Sequence, residues 1–141
     1  MIGVIVCGHG QFASGIASTV ALVAGEQDDF IAVDFDGSSD LKAALEQAVA
    51  TLNCEQILFF TDILGGAPFR NASLIAQARG QCEVIAGVTA QMLIEACLER
   101  DGYEDLSSDV ADLIDSARQG VTSLGLQQAV KRTTTTSSDG I

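Results

Sequence analysis

Short apolar runs alternate with stretches of helical periodicity along most of the chain. Four runs, at residues 2–7, 30–35, 56–61 and 82–87, have the length and composition of strands buried in a sheet. Between these runs, and after the last one, apolar residues recur every three to four positions, as in amphipathic helices. The alternation predicts a three-layer α/β/α fold with a mostly parallel sheet and helices on both faces.

Boundary signals support the predicted helices. Gly25 can end the first helix, and Ser38 or Ser39 can cap the second. Pro68 suits the first turn of the third helix, and Thr89 can cap the fourth. The helices are predicted at about residues 16–24, 41–52, 68–79, 90–97 and 106–119.

The pattern changes near the end of the chain. Val121–Leu124 is predicted as one short further strand. From Lys131 the composition becomes rich in Thr and Ser, which indicates a disordered tail. We therefore expect one folded domain over residues 1–130, followed by a tail over residues 131–141.

Composition and charge narrow the class of protein. No run approaches the roughly 20 apolar residues that a membrane span needs, and no basic segment precedes the first apolar run. None of the 4 cysteines forms a C-x-x-C pair, so we expect reduced thiols and a cytoplasmic location. A net charge of -12 disfavours binding to nucleic acid, and it either attracts a basic partner or only keeps the protein soluble.

The only histidine of the chain, His9, lies between Gly8 and Gly10 directly after a buried strand. In parallel α/β sheets, ligands bind beyond the carboxyl ends of the strands. The flanking glycines leave the imidazole uncovered, and the next helix begins nearby with free N–H groups that attract phosphate. His9 is thus a candidate phosphoryl acceptor, although a structural histidine in a tight turn fits the same pattern.

Asp62 follows the third predicted strand and precedes Gly65 and Gly66. If the first and third strands are neighbours, its carboxylate can accept one ring N–H of His9 and leave the other nitrogen free to attack. The alternative is an aspartate that only closes its own turn. Arg70 is the nearest basic residue and can contact phosphate or a partner, or simply be solvated.

A competing interpretation is a dinucleotide-binding module. Gly8, Gly10 and Ala13 satisfy G-x-G-x-x-A after a strand, and Asp34 follows about twenty residues later. No G-K-[ST] motif follows this loop, so a P-loop is excluded. His9, Cys7 and nearby carboxylates are an alternative metal site, but they lack any recognised ligand spacing, and we predict neither a metal nor a cofactor.

Three segments together resemble the mannose-family enzyme IIA domain of the bacterial phosphoenolpyruvate-dependent sugar phosphotransferase system. They are Gly8-His9-Gly10, the loop Asp62-Ile-Leu-Gly-Gly-Ala-Pro-Phe69 and the segment Glu83-Val-Ile-Ala-Gly-Val88. Within that family the chain looks closest to the N-acetylgalactosamine or galactosamine branch.

The resemblance implies a sheet of order 2-1-3-4 and a homodimer that exchanges a short antiparallel strand, for which Val121–Leu124 is the candidate. It places the phosphorylated histidine at His9 and its aspartate partner at Asp62. Phosphorylated HPr would donate the phosphoryl group, and an enzyme IIB component would accept it. The membrane components IIC and IID, through which the sugar enters, would be indirect partners.

The loop that holds the phosphoryl group or the partner is expected to contain the residues Gly8, Gly10, Gly65, Gly66, Ala67, Pro68 and Arg70. The family often has Ser where this chain has Ala67, and Thr where it has Gly8. Backbone N–H groups are therefore expected to hold the phosphoryl oxygens. A dihydroxyacetone-type phosphocarrier and a non-catalytic regulatory domain remain alternatives.

Overall fold

The computed structural model describes residues 1–133, which form a parallel sheet between two layers of helices. The strands are β1 (Ile2–His9), β2 (Phe30–Phe35), β3 (Gln56–Thr61) and β4 (Cys82–Ile85). The helices are α1 (Phe12–Ala24), α2 (Leu41–Leu52), α3 (Ala67–Arg79), α4 (Ala90–Glu99), α5 (Leu106–Gln119) and α6 (Leu124–Thr133), with a 3₁₀ turn at Arg100–Gly102.

The strand order is β2-β1-β3-β4, which confirms the predicted order. β1 lies in the interior of the sheet and pairs with β2 and β3 in parallel. Its side chains alternate between the two layers, as the pleat requires. Val4 and Val6 pack with α1, α4 and α5, while Ile5 and Cys7 pack with α2 and α3.

The predicted cap of α2 is wrong by one or two residues. Asp40 caps this helix, because its carboxylate accepts a hydrogen bond from the Ala43 N–H at 3.1 Å. The N–H groups of Ser38 and Ser39 instead donate to Asp36 in the preceding turn, at 2.9 and 2.8 Å. Thr89 caps α4 as predicted.

Val121–Leu124 does not form the predicted strand in this chain. Ser123 starts α6 instead: its hydroxyl accepts a hydrogen bond from Leu126 N–H at 3.1 Å, and its carbonyl accepts one from Gln127 N–H at 3.0 Å. Exchange of this segment between subunits stays a prediction. Residues 131–133 complete α6, and the rest of the predicted tail, 134–141, lies outside the described residues.

Within residues 1–133, every helix is too short or too polar to cross a lipid bilayer.

Arg100 joins the beginnings of the first two strands. It is only 7% exposed, and its guanidinium donates to the carbonyls of Ile2 and Asp29, each at 3.0 Å, and of Asp28. The same side chain therefore satisfies three backbone acceptors at the end of the sheet where the strands begin, opposite the end that holds His9. Because buried acceptors are costly to leave unpaired, Arg100 is a main support of this end of the sheet.

We expect Arg100→Met to lower the free energy of unfolding by about 3 kcal/mol, since the carbonyls lose their donor. Urea denaturation measures this loss. Lys42→Met is the control, because Lys42 is half-exposed on α2 and forms an ion pair with Glu46 at 3.2 Å; it should change stability by less than about 0.5 kcal/mol. Equal losses in the two variants would show that Arg100 has no such role.

Candidate active site

The structure brings His9 and Asp62 into direct contact. His9 ends β1, and Asp62 directly follows β3, which is paired beside it. His9 Nδ1 lies 2.8 Å from Asp62 Oδ2. The backbone N–H of His9 donates to the same oxygen at 2.9 Å. The carboxylate therefore holds both the ring and the main chain of His9.

Asp62 is a carboxylate surrounded by donors. Its Oδ1 accepts a hydrogen bond from the Ile63 N–H at 2.9 Å, and its side chain is 11% exposed. Burial raises the pKa of Asp62, but the N–H groups and ring of His9, with Ile63 N–H, lower it by more, so the pKa lies below its ordinary value. An ionised carboxylate only accepts hydrogen bonds, so Nδ1 of a neutral His9 carries the proton and Nε2 keeps its lone pair.

The Nε2 edge of His9 faces Gly66. A Cβ atom on Gly66 would lie 3.0 Å from His9 Cε1 and 3.2 Å from Nε2, and the φ angle of Gly66 is +99°. Both the close approach and the backbone conformation therefore require glycine. Because Gly66 is the N-cap residue of α3, the first turn of that helix lies beside the free nitrogen.

The helix whose N-terminus lies beside the imidazole is α3. The sequence analysis had predicted α1, the helix that directly follows His9. Alternation along β1 explains the difference: Cys7 faces the α2 and α3 layer, so His9 does too, whereas α1 packs on the opposite face. The start of α1 is also occupied. Asp34 accepts hydrogen bonds from Ser14 N–H at 2.9 Å and from Ser14 Oγ at 2.7 Å.

This arrangement disfavours dinucleotide binding. Asp34 places a negative charge at the start of α1, where the diphosphate of a dinucleotide would lie. The N–H of Gly10 is also used, since it donates to the Phe35 carbonyl at 2.7 Å.

The other predicted loop residues surround the site in different ways. Gly8 makes room for Phe12, because a Cβ there would lie 2.6 Å from the Phe12 ring. Gly65 has open space around it. Ala67 and Pro68 begin α3. Arg70 has an exposed side chain, and its N–H donates to the Gly66 carbonyl at 3.1 Å.

Sequence reasoning missed Phe35 as a neighbour of His9 and considered Cys7 only as a metal ligand. Phe35 packs its ring against the imidazole in a T-shaped arrangement, with centroids 6.0 Å apart and planes at 61°. Cys7 lies buried beneath the site, and burial, with Asp62 and Asp34, raises the pKa of its thiol to about 12. Cys7 is therefore protonated and unsuited to act as a nucleophile. The contact with Phe35 follows from the register of β1 and β2, which pairs the Cα atoms of His9 and Phe35.

A half-exposed histidine, oriented by a largely buried carboxylate and facing a helix N-terminus, is the arrangement that the sequence analysis expected of a histidine phosphocarrier. Comparison with known families agrees: residues 3–115 match the family model EIIA-man, described as the PTS system fructose IIA component, where PTS is the sugar phosphotransferase system. The chain belongs to this family.

Relatives and solved structures support the assignment. The chain is 32% identical over 127 residues to the mannose-specific EIIAB component of Escherichia coli, which covers 87% of this chain and 39% of that protein. It is 31% identical over 105 residues to the fructose-specific EIIA component of Bacillus subtilis, 72% of each chain. The crystal structure of an EIIA component from Streptococcus agalactiae superposes with a TM-score of 0.82 at 33% identity, covering 89% of this chain and 99% of the other.

We expect Gly66→Ala to slow chemical modification of the histidine. The new methyl group would press on the Cε1 and Nε2 edge, and overpacking of this kind costs about 1–3 kcal/mol. Carbethoxylation, which reports only His9 in this chain, should therefore be slower by about tenfold or more. Gly65→Ala is the control, because its Cβ meets nothing within 4 Å. Unchanged reactivity in Gly66→Ala would mean that residue 66 does not limit access to the ring.

Proposed function

We propose that His9 is the phosphoryl-accepting residue of this enzyme IIA component and that Asp62 orients it. The observation that carries the proposal is the orientation of the ring. Nδ1 is held 2.8 Å from Asp62, and the imidazole is 44% exposed, so Nε2 is the nitrogen available for attack. The proton on Nδ1 stays in place during the reaction.

The reaction exchanges one N–P bond for another. Nε2 of neutral His9 attacks the phosphorus of a phosphohistidine on the donor in line, and the donor N–P bond breaks as the new one forms. Donor and product are both phosphoramidates, so the step is close to isoergonic and reversible. Positioning and charge stabilisation are then the main contributions of the protein, and this scheme requires no metal or nucleotide.

The first turn of α3 supports charge stabilisation. The first N–H groups of a helix lack partners within the helix, and the helix dipole makes this end positive. Here these are the N–H groups of Ala67 and Phe69, since Pro68 has none and Arg70 N–H already donates to Gly66. With Ala at position 67, backbone groups take the place of a side-chain hydroxyl.

The proposed partners are phosphorylated HPr as the donor and an enzyme IIB component as the acceptor, in the cytoplasm, with membrane components IIC and IID downstream. The net charge of -12 favours encounter with a basic donor. Relatives of this chain are named for mannose, fructose and sorbose. The galactosamine branch stays a proposal for the sugar that is taken up.

Incubation with phosphoenolpyruvate, enzyme I and HPr tests the function. We expect an acid-labile mass gain of one phosphoryl group on His9 and none in His9→Ala. Asp62→Ala should take up the group about 10²–10⁴ times more slowly, the usual effect of a positioned acid–base partner.

Asp105→Ala is the matched control for the loss of charge. Asp105 caps α5 and lies beside the starts of β3 and β4, at the opposite end of the sheet from His9. The Asp105→Ala variant should take up the phosphoryl group at the rate of the wild type. Equal rates in Asp62→Ala and the wild type would refute the role of Asp62, and uptake by His9→Ala would refute that of His9.

We also propose a homodimer in which the segment after α5 of one subunit covers the free edge of β4 in the other. An apolar groove of about 330 Å³ adjoins that edge, with Phe69, Val84 and Ile114 among its lining residues. Val121 also lines the groove and is 73% exposed. A further strand paired with β4 would bury these apolar groups and the unpaired backbone of the edge.

Val121→Asp should convert the dimer into a monomer, because it places a charge in the buried contact. Sedimentation velocity measures the change. Leu22→Asp is the control, since Leu22 is 87% exposed on α1, and it should leave the oligomeric state unchanged. A monomeric wild-type protein would contradict this part of the proposal.

A further inference from the structure

Phe35 packs against the imidazole from the neighbouring strand. It ends β2, and its Cα is paired with that of His9 in the parallel register. The two rings form a T-shaped contact with centroids 6.0 Å apart. Phe35 is only partly buried and packs on the core formed with α2 and α3, so its ring has support behind it.

The imidazole has Asp62 at Nδ1, Gly66 beside its Cε1 and Nε2 edge, and the ring of Phe35 in a T-shaped contact. A single hydrogen bond locates Nδ1 but leaves the plane of the ring free to tilt, because χ2 of histidine has a broad energy profile. Gly66 has no side chain with which to restrain the ring. The contact with Phe35 therefore restrains the plane where the hydrogen bond does not.

We propose that Phe35 is a positioning residue for phosphoryl transfer, holding the imidazole plane so that the Nε2 lone pair points at the incoming phosphorus. This inference rests on the proposed function of His9. In-line transfer needs the lone pair on the axis of the breaking bond, and small errors of placement cost up to about 10²-fold in rate. An aromatic ring provides the restraint without adding charge or competing for the hydrogen bond of Asp62.

The backbone of Phe35 has a separate task, which makes side-chain variants informative. Its carbonyl accepts the Gly10 N–H at 2.7 Å and so supports the turn after His9, where Gly10 has a φ angle of +59°. A substitution at position 35 keeps this backbone bond. The effect of Phe35→Leu then reports the lost ring contact, and Phe35→Tyr restores an aromatic ring.

The experiment compares the wild type with Phe35→Leu, Phe35→Tyr and Phe30→Leu. Phe30 is the control because it begins the same strand and is partly buried in the other core. We expect Phe35→Leu to lower the rate of phosphoryl uptake at saturating phosphorylated HPr by about tenfold with an unchanged KM. Phe35→Tyr should keep most of the rate, and Phe30→Leu all of it.

Nitrogen-15 NMR of the unphosphorylated protein gives a readout that a loss of stability alone would not move. The chain has 1 histidine, so both ring-nitrogen signals belong to His9. In the wild type we expect one tautomer, with the proton on Nδ1. In Phe35→Leu a tilting ring should weaken the hydrogen bond from Nδ1 to Asp62, so the two signals should move toward the values of a tautomer mixture.

Two results would overturn the inference. A change confined to KM would make Phe35 a docking contact, and unchanged NMR signals with an unchanged saturated rate would show that the ring needs no such support. If the wild type takes up no phosphoryl group, the proposed function fails. The NMR comparison still decides whether Phe35 orients the imidazole.

Discussion

The hydrogen bond between His9 Nδ1 and Asp62 Oδ2, 2.8 Å long, is the interaction on which the site depends. It exists because two buried strands, β1 and β3, lie side by side and end at the same edge of the sheet. The bond makes one ring nitrogen a donor and leaves the other as a nucleophile. The apolar sequences of β1 and β3 thus determine the chemistry of His9, because the pairing of these strands places Asp62 beside the imidazole.

Local composition predicted the strands and most helices, but it did not predict the cap of α2 or the structure at the end of the chain. Buried strands need apolar runs, and the runs were evident. The cap of α2 was missed because Asp36, four residues before Asp40, takes the N–H groups of both serines. Within one chain Val121–Leu124 forms no strand, because Ser123 caps α6 there, and its pairing with a partner subunit stays a prediction.

The contact of His9 with Asp62 was predictable once the strand order was assumed, whereas the surroundings of Nε2 were not. Which helix end lies beside the imidazole depends on the face of the sheet, and one residue of shift along β1 reverses it. The packing of Phe35 on His9 depends on register between separate segments. Gly66 was predicted only as part of the loop that holds the phosphoryl group or the partner, yet the imidazole lies 3.0 Å from the position that its Cβ would take.

The most direct test of this account is the position of the phosphoryl group on the ring. Protein labelled with nitrogen-15 in His9 and phosphorylated through HPr shows which nitrogen is coupled to phosphorus. The account predicts coupling to Nε2, with the proton retained on Nδ1 beside Asp62. Phosphorus on Nδ1 would require the hydrogen bond to Asp62 to break and would contradict the proposed role of that carboxylate.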